Sequence, residues 1–284
     1  MSARESSRES ATIDGVSTSW WVFDAAPKAR TIVMIHGFRG DHHGLQLFAD
    51  ALPEYRVIIP DLPGFGESGS WVNGEISADS YGRWLRAFLK HTGTSDSAVL
   101  GHSFGTIVVA NGLRGQRTAP VILVNPISQR ALSGPNRLMT AVASGWYRLG
   151  GLLPERLGNA LLSWPLSVRV MSELLAKSRN GALRQWIHNQ HALYFSKYSD
   201  RTALIGAYTV SVSHDVSEYA KGISAPVLLV TADRDEITPM AAQIKVRELL
   251  PDADMVVLHG VGHLVHYERP LETAAAIRKF LTAL

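Results

Sequence analysis

A serine placed for chemistry stands at Gly101-His102-Ser103-Phe104-Gly105. The pattern is G-x-S-x-G. It falls between an apolar run, Ala98–Leu100, that reads as a buried strand and a run of helical character, Phe104–Leu113. A sharp strand-to-helix turn holds such a serine at strained backbone angles and projects its hydroxyl. Small residues two positions away on either side let strand and helix close together, and the helix N-terminus offers free N–H groups to developing negative charge. A serine hydroxyl is a poor nucleophile alone, so the chain must also supply a base and a carboxylate that orients it. Two later segments hold candidates. Ala232-Asp-Arg-Asp-Glu-Ile-Thr-Pro239 contains Asp233 and Asp235, and Gly260-Val-Gly-His-Leu-Val-His-Tyr-Glu-Arg-Pro270 contains His263 and His266. Each follows a predicted strand, so all three groups arrive at strand carboxyl ends, the edge where open α/β sheets build their sites. The chemistry of such a set is nucleophilic acyl transfer.

The elements that position these residues follow from periodicity. Strands are predicted around Thr12–Ile13 and Ser19–Phe23, flanking the turn dipeptide Asp14-Gly15, then at Thr31–Ile35, Arg56–Pro60, Ala98–Leu100, Val121–Val124, Val227–Thr231 and Met255–Leu258. Runs such as Val227-Leu-Leu-Val230 suit strands buried on both faces. Helical spacing covers Gly44–Leu52, Ser77–His91, Phe104–Leu113, Met240–Leu250 and Leu271–Leu284, with Ser77 as a cap and Pro239 and Pro270 where helices begin. The alternation predicts an α/β fold, a mainly parallel eight-stranded sheet with helices on both faces. From about Ile127 to Gly222 no buried strand is evident. A structureless loop of that length is foreign to a compact domain, so this stretch is expected to be a helical cap inserted after the sixth strand. The division is then a core of residues 1–126 and 223–284, with 1–10 disordered, and a cap of 127–222.

Together these segments resemble the α/β-hydrolase fold superfamily, from about residue 10 onward. The resemblance rests on His36-Gly37-Phe38, the 101–105 turn, the 232–239 loop, Gly262-His263, and Asp61-Leu-Pro-Gly-Phe-Gly-Glu-Ser68, which is similar to the D-x-x-G-x-G-x-S loop of these enzymes. It implies Ser103 as nucleophile, His263 as base and Asp235 as the orienting acid, with Asp233 and His266 as their rivals. The backbone N–H groups of Phe38 and Phe104 would form the oxyanion hole, supported by His36 and Gly37. His102 and Trp186 are candidate pocket residues, and His42 and His43 are placed to touch substrate. His188 and His191 share a helical face at i, i+3. With no carboxylate pair beside them they read as cap packing and not as metal ligands. Neither a metal nor a cofactor is implied.

The superfamily hosts many reactions, and the chain prunes them. Ser103 argues against dehalogenases and epoxide hydrolases, which carry Asp at that position. Leu264 stands where hydrolases of ring-cleavage products usually have Trp. Carboxylic-ester hydrolysis is the leading expectation, on a small molecule with an apolar acyl or alcohol group that the Trp-, Leu- and Tyr-rich cap would bury. A C–C bond hydrolase, a thioesterase or a lactonase would use the same triad, and a non-catalytic ligand receptor on this fold is a further alternative.

Composition sets the outer bounds. The 284 residues carry 28 Lys and Arg against 25 Asp and Glu, so no basic stripe marks a nucleic-acid partner. The absence of cysteine excludes disulfides and thiolate chemistry. No run of about 18 apolar residues predicts a membrane span, and the polar start lacks the apolar core of a signal peptide, which gives a cytoplasmic expectation. A homodimer is left open.

Overall fold

The computed structural model describes residues 3–72, 74–115, 120–131, 137–195 and 197–284. Its sheet contains β1 (Ser7–Ile13), β2 (Val16–Phe23), β3 (Thr31–Ile35), β4 (Arg56–Pro60), β5 (Ala98–His102), β6 (Val121–Val124), β7 (Val227–Ala232) and β8 (Ala253–Leu258). The order is β1-β2-β4-β3-β5-β6-β7-β8. β1 and β2 run antiparallel to their neighbours, while β4, β3 and all strands beyond are parallel. Side chains alternate across this sheet. Val33, Ile35 and Val99 join the core on one face, and Ile32, Met34 and Leu100 join the core on the other. Fully burying one such side chain contributes about 1.5–3 kcal/mol.

Residues 7–10 depart from the disorder expected over 1–10; residues 1 and 2 lie outside the described residues. Ser7 to Ser10 pair with Val22 to Ser19 as the outer part of β1, because the Asp14-Gly15 turn fixes the register and carries it backward along the chain. Asp14 (φ 49) and Gly15 (φ 79) both take the left-handed conformation that a two-residue hairpin of this kind requires. This edge strand is exposed on its outer residues, so it needs no apolar pattern. Arg4 ties the chain down further, donating to the carbonyls of Ala49, Phe23 and Tyr55.

α1 (Gln46–Ala51) and α11 (Pro270–Thr282) cover one face of the sheet; α2 (Ala78–His91) and α3 (Phe104–Leu113) cover the other. The helix expected over Gly44–Leu52 is divided into a 3₁₀ turn at His42–Leu45 and α1, because Asp41 caps the turn through His43 N–H. α2 begins as its sequence indicates, with Ser77 and Ser80 bonding reciprocally in a capping box. α3 is buried along all ten residues, which explains why it shows no polar face. α9 (Met240–Leu249) links β7 to β8, and the short α10 (Val265–Glu268) precedes α11.

Among the described residues, five α-helices stand between β6 and β7: α4 (Arg137–Leu152), α5 (Glu155–Leu162), α6 (Pro165–Leu175), α7 (Gly181–Tyr194) and α8 (Arg201–Ser213). Arg39, in the loop after β3, joins them to the sheet. Its buried guanidinium donates to Tyr147 Oη, Leu162 O and Phe195 O.

Candidate active site

The 101–105 turn has the geometry that its residue types dictate. Ser103 sits at φ 52, ψ −120, a conformation that a non-glycine residue keeps only when its surroundings impose it. Ser103 N–H donates to Val124 O of β6, and its carbonyl accepts from Thr106 N–H and Thr106 Oγ1. The flanking glycines are places where the backbone leaves no room. A Cβ at Gly101 would lie 2.6 Å from Gly105 O, and one at Gly105 would lie 2.3 Å from Ile35 O. Strand β5, helix α3 and strand β3 therefore meet at closer range than any side chain permits.

His263 lies in the loop between β8 and α10. Its Nε2 is 2.7 Å from Ser103 Oγ, and its Nδ1 is 2.8 Å from Asp235 Oδ2. Asp235, in the loop after β7, is buried and collects four further donors. Oδ2 accepts from Asn125 Nδ2 at 2.7 Å and Thr238 Oγ1 at 2.9 Å; Oδ1 accepts from the N–H groups of Ile237 and Thr238. Burial works to raise its pKa. The adjacent His263 and the ring of donors outweigh that and hold the carboxyl down at about 2. Asp233 is spent elsewhere, accepting from Gly260 N–H and facing the exposed His259. The structure thus brings Ser103, His263 and Asp235 together and leaves Asp233 outside.

His266 is not beside the serine. Its Nδ1 is 3.1 Å from His102 Nε2, which also lies 3.3 Å from the His263 carbonyl. A carbonyl only accepts, so His102 carries its proton on Nε2 and tethers the backbone of His263. Burial lowers the pKa of His102 to about 3 and that of His266 well below its usual range. His36 is also kept neutral by burial. Its Nδ1–H donates to Gly37 O, and its Nε2 accepts from Leu62 N–H, so it clamps the loop after β3 to the loop after β4. Gly37 packs against the serine: a Cβ there would lie 3.2 Å from Ser103 Cβ. Among the described residues, neither Phe38 N–H nor Phe104 N–H has a backbone acceptor outside its own element.

Asp61 is the hub of the D-x-x-G-x-G-x-S loop. It accepts from His42 N–H, His42 Nδ1 and Glu67 N–H, and the backbone at Gly66 approaches it so closely that a Cβ would lie 2.0 Å from Oδ2. His42 and His43 do not touch the cavity, contrary to expectation. Their rings stack between Trp21 and Tyr194 while their Nδ1 atoms face Asp61 and Asp41. Among the described residues, Asp41, His42 and His43 are the group whose ligand-type atoms come within 4.8 Å of one another, and both Nδ1 atoms there already have carboxylate partners.

A cavity of about 600 Å³ opens over Ser103. Phe38, Ser103, His102 and His263 line it from the sheet side; Met171, Leu174, Trp146 and Trp164 line it from the inserted helices. Trp186, expected in the pocket, is not on this wall. Its indole packs edge-on against Tyr267, in a small cluster with Ile187 and Leu264. The helical pattern gave no means of telling which tryptophan faces inward. Asn125 and Thr238, which bind Asp235, escaped the sequence reading. Asn125 belongs to no motif, and its left-handed φ of 44 is visible only in the structure.

A family model described as the alpha/beta hydrolase family matches residues 32–276. The chain belongs to the alpha/beta hydrolase family. It is 24% identical over 267 residues to Lipase 3 of Moraxella sp. (strain TA144), covering 89% of this chain and 78% of the relative. It is also 24% identical over 267 residues to the magnesium-chelatase 30 kDa subunit of Rhodobacter capsulatus, covering 87% and 85%. Among solved structures, a thermophilic esterase from Thermogutta terrifontis superposes with a TM-score of 0.75 at 20% identity, over 98% of each chain. That likeness is one of fold. The eight-stranded, mainly parallel sheet of this chain is the α/β-hydrolase sheet. Among the described residues no helix is long and apolar enough to cross a membrane.

Proposed function

We propose that this hydrolase cleaves a carboxylic ester through an acyl-enzyme on Ser103. The observation that carries the reading is the unbroken hydrogen-bonded line from Ser103 Oγ to His263 Nε2 and from His263 Nδ1 to Asp235. His263 takes the hydroxyl proton as Oγ attacks the ester carbonyl, then delivers it to the departing alkoxide. Water, activated by the same nitrogen, releases the acid and restores the serine. Asp235 stays ionised throughout. It fixes the tautomer that leaves Nε2 free to accept, and it stabilises the imidazolium. The oxyanion would lie between the N–H groups of Phe38 and Phe104, a role supported by the packing of Gly37 on Ser103.

The substrate reading has two supports. Most of the cavity wall is apolar, with Leu, Val, Ile, Met, Phe and Trp side chains all contributing, which suits an apolar acyl or alcohol group. The relative named Lipase 3 points the same way. In this reading residues 127–222 act as a cap over the core formed by 1–126 and 223–284. The test is hydrolysis of p-nitrophenyl esters of graded chain length, with labelling by a fluorophosphonate. The wild type turns over and Ser103 is labelled, and Ser103→Ala loses both by a factor of about 10³ or more. Equal turnover by the variant would overturn the proposal.

A further inference from the structure

Outside the Ser103 line, one buried polar cluster has no part in the chemistry above. Ser172 of α6 is buried, and its Oγ lies 2.6 Å from His188 Nδ1 and 2.8 Å from His191 Nδ1, both on α7. On the far side of His188, Nε2 is 3.3 Å from Glu173 Oε1. Arg169 and Arg184 hold Glu173 ionised by bonding the same carboxylate. Burial keeps both imidazoles neutral, lowering His191 to about 4. These two histidines, expected to be cap packing with no carboxylate pair beside them, form a relay that ends on a single carboxylate.

The direction of the relay follows from its anchor. A carboxylate only accepts, so the His188 nitrogen that faces Glu173 carries the proton. Neutral His188 then has a bare Nδ1, to which the Ser172 hydroxyl donates. With its proton used there, Ser172 Oγ accepts from His191 Nδ1–H. His191, also neutral, is left with a bare Nε2. The opposite order would set the lone pair of His188 Nε2 against the Glu173 carboxylate. Ser172 and His188 do not line the cavity, whereas His191 does, beside His266 and Tyr267. His191 thus meets Ser172 through Nδ1 and also lines the cavity, and among the described residues no hydrogen bond reaches its Nε2.

We propose that His191 Nε2 is a substrate-recognition acceptor, and that the ester taken by this site carries a neutral O–H or N–H donor on its otherwise apolar body. This deepens the ester-hydrolase reading and rests on it. A mostly apolar cavity penalises a polar group wherever no fixed partner meets it. An alkyl chain of the same shape would instead leave the imidazole nitrogen dehydrated and unpaired, so the site discriminates in both directions. Ser172 and Glu173 act through His191 and are positioning residues.

The experiment compares kcat/KM for methyl octanoate with its monohydroxy isomers, and for octyl acetate with its monohydroxy isomers, by pH-stat titration. In the wild type at least one hydroxylated isomer is preferred by about 10-fold or more. His191→Leu brings that ratio to one or below, and His191→Gln, which keeps an acceptor oxygen, recovers part of it. Ser172→Ala and Glu173→Gln lower the ratio several-fold. They also shift the ¹⁵N signature of His191 from a pure Nδ1–H tautomer toward a mixture, a change that a merely structural role would not produce. A wild-type ratio at or below one for every isomer, while the parent esters are cleaved, overturns the proposal. So does a wild-type ¹⁵N spectrum with the proton on Nε2. The tautomer is read without substrate, so it decides the acceptor even if no ester is cleaved, a result that would count against the ester reading itself.

Discussion

At the scale of single residues, the site divides into groups that a motif announces and groups that only three-dimensional proximity reveals. Ser103 and His263 lie in recognisable strings, and Asp235 precedes Ile237 and Pro239 in a familiar spacing. Asn125 has no such signature. It follows β6 at φ 44, a conformation open to Asn at modest cost, and aims its amide at Asp235. Asp235→Asn removes the charge that stabilises the imidazolium and favours the wrong imidazole tautomer, so kcat is expected to fall by about 10⁴. Asn125→Ala removes one donor out of five contacts, so a smaller loss, about 10-fold, is expected together with ~1–2 kcal/mol of stability. Steady-state kinetics alongside urea unfolding checks the ordering. A loss in Asn125→Ala as large as in Asp235→Asn would give the amide a role that this geometry does not account for.

At the scale of elements, the core strands were legible because burial on both faces demands unbroken apolar runs, and α2 was legible because its cap is written in Ser77. β1 was not, since an edge strand open to solvent tolerates Ser-Arg-Glu-Ser and is defined by its hairpin register. The direction in which each tryptophan of the inserted helices points was equally hidden. It depends on how α4 to α7 pack on one another, so Trp146 and Trp164 reach the cavity and Trp186 does not. The elbow glycines illustrate a motif whose cause is purely steric. Gly105→Ala puts a Cβ into the Ile35 carbonyl, a backbone atom that cannot move without shifting β3. The expected cost is at least ~3 kcal/mol, or failure to fold. Gly15→Ala has open space around its Cβ but φ 79, so it bears only the left-handed penalty of about 1–2 kcal/mol. Denaturation midpoints of the two variants should differ accordingly; similar midpoints would contradict the steric account.

At the scale of the whole molecule, the buried histidines couple the fold to pH. His36, His102, His191 and His266 are neutral in the folded chain because burial disfavours their charged forms, and none of them pairs its ring with a carboxylate. Unfolding returns them to water, where imidazole protonates below its ordinary value of 6.5. Between that value and the folded one, the unfolded state binds more protons, so stability falls as pH falls. For His102 the window runs from 6.5 down to about 3, and for His191 from 6.5 down to about 4. Each contributes up to about 1.4 kcal/mol of lost stability per pH unit inside its window. Asp235 adds to the loss only later, as pH drops below its ordinary 3.8 toward about 2. The carboxylate at the heart of the site is therefore still ionised where the histidines have already begun to weaken the fold. Thermal unfolding followed from pH 7.5 to 4.5 is expected to show the melting temperature falling steadily below about 6.5, ahead of any carboxylate titration. Replacing His102 with Gln, which keeps a donor for the His263 carbonyl but takes up no proton, should flatten that slope even if it lowers stability at pH 7.5. An unchanged slope would mean that the unfolded chain gains no proton at this position.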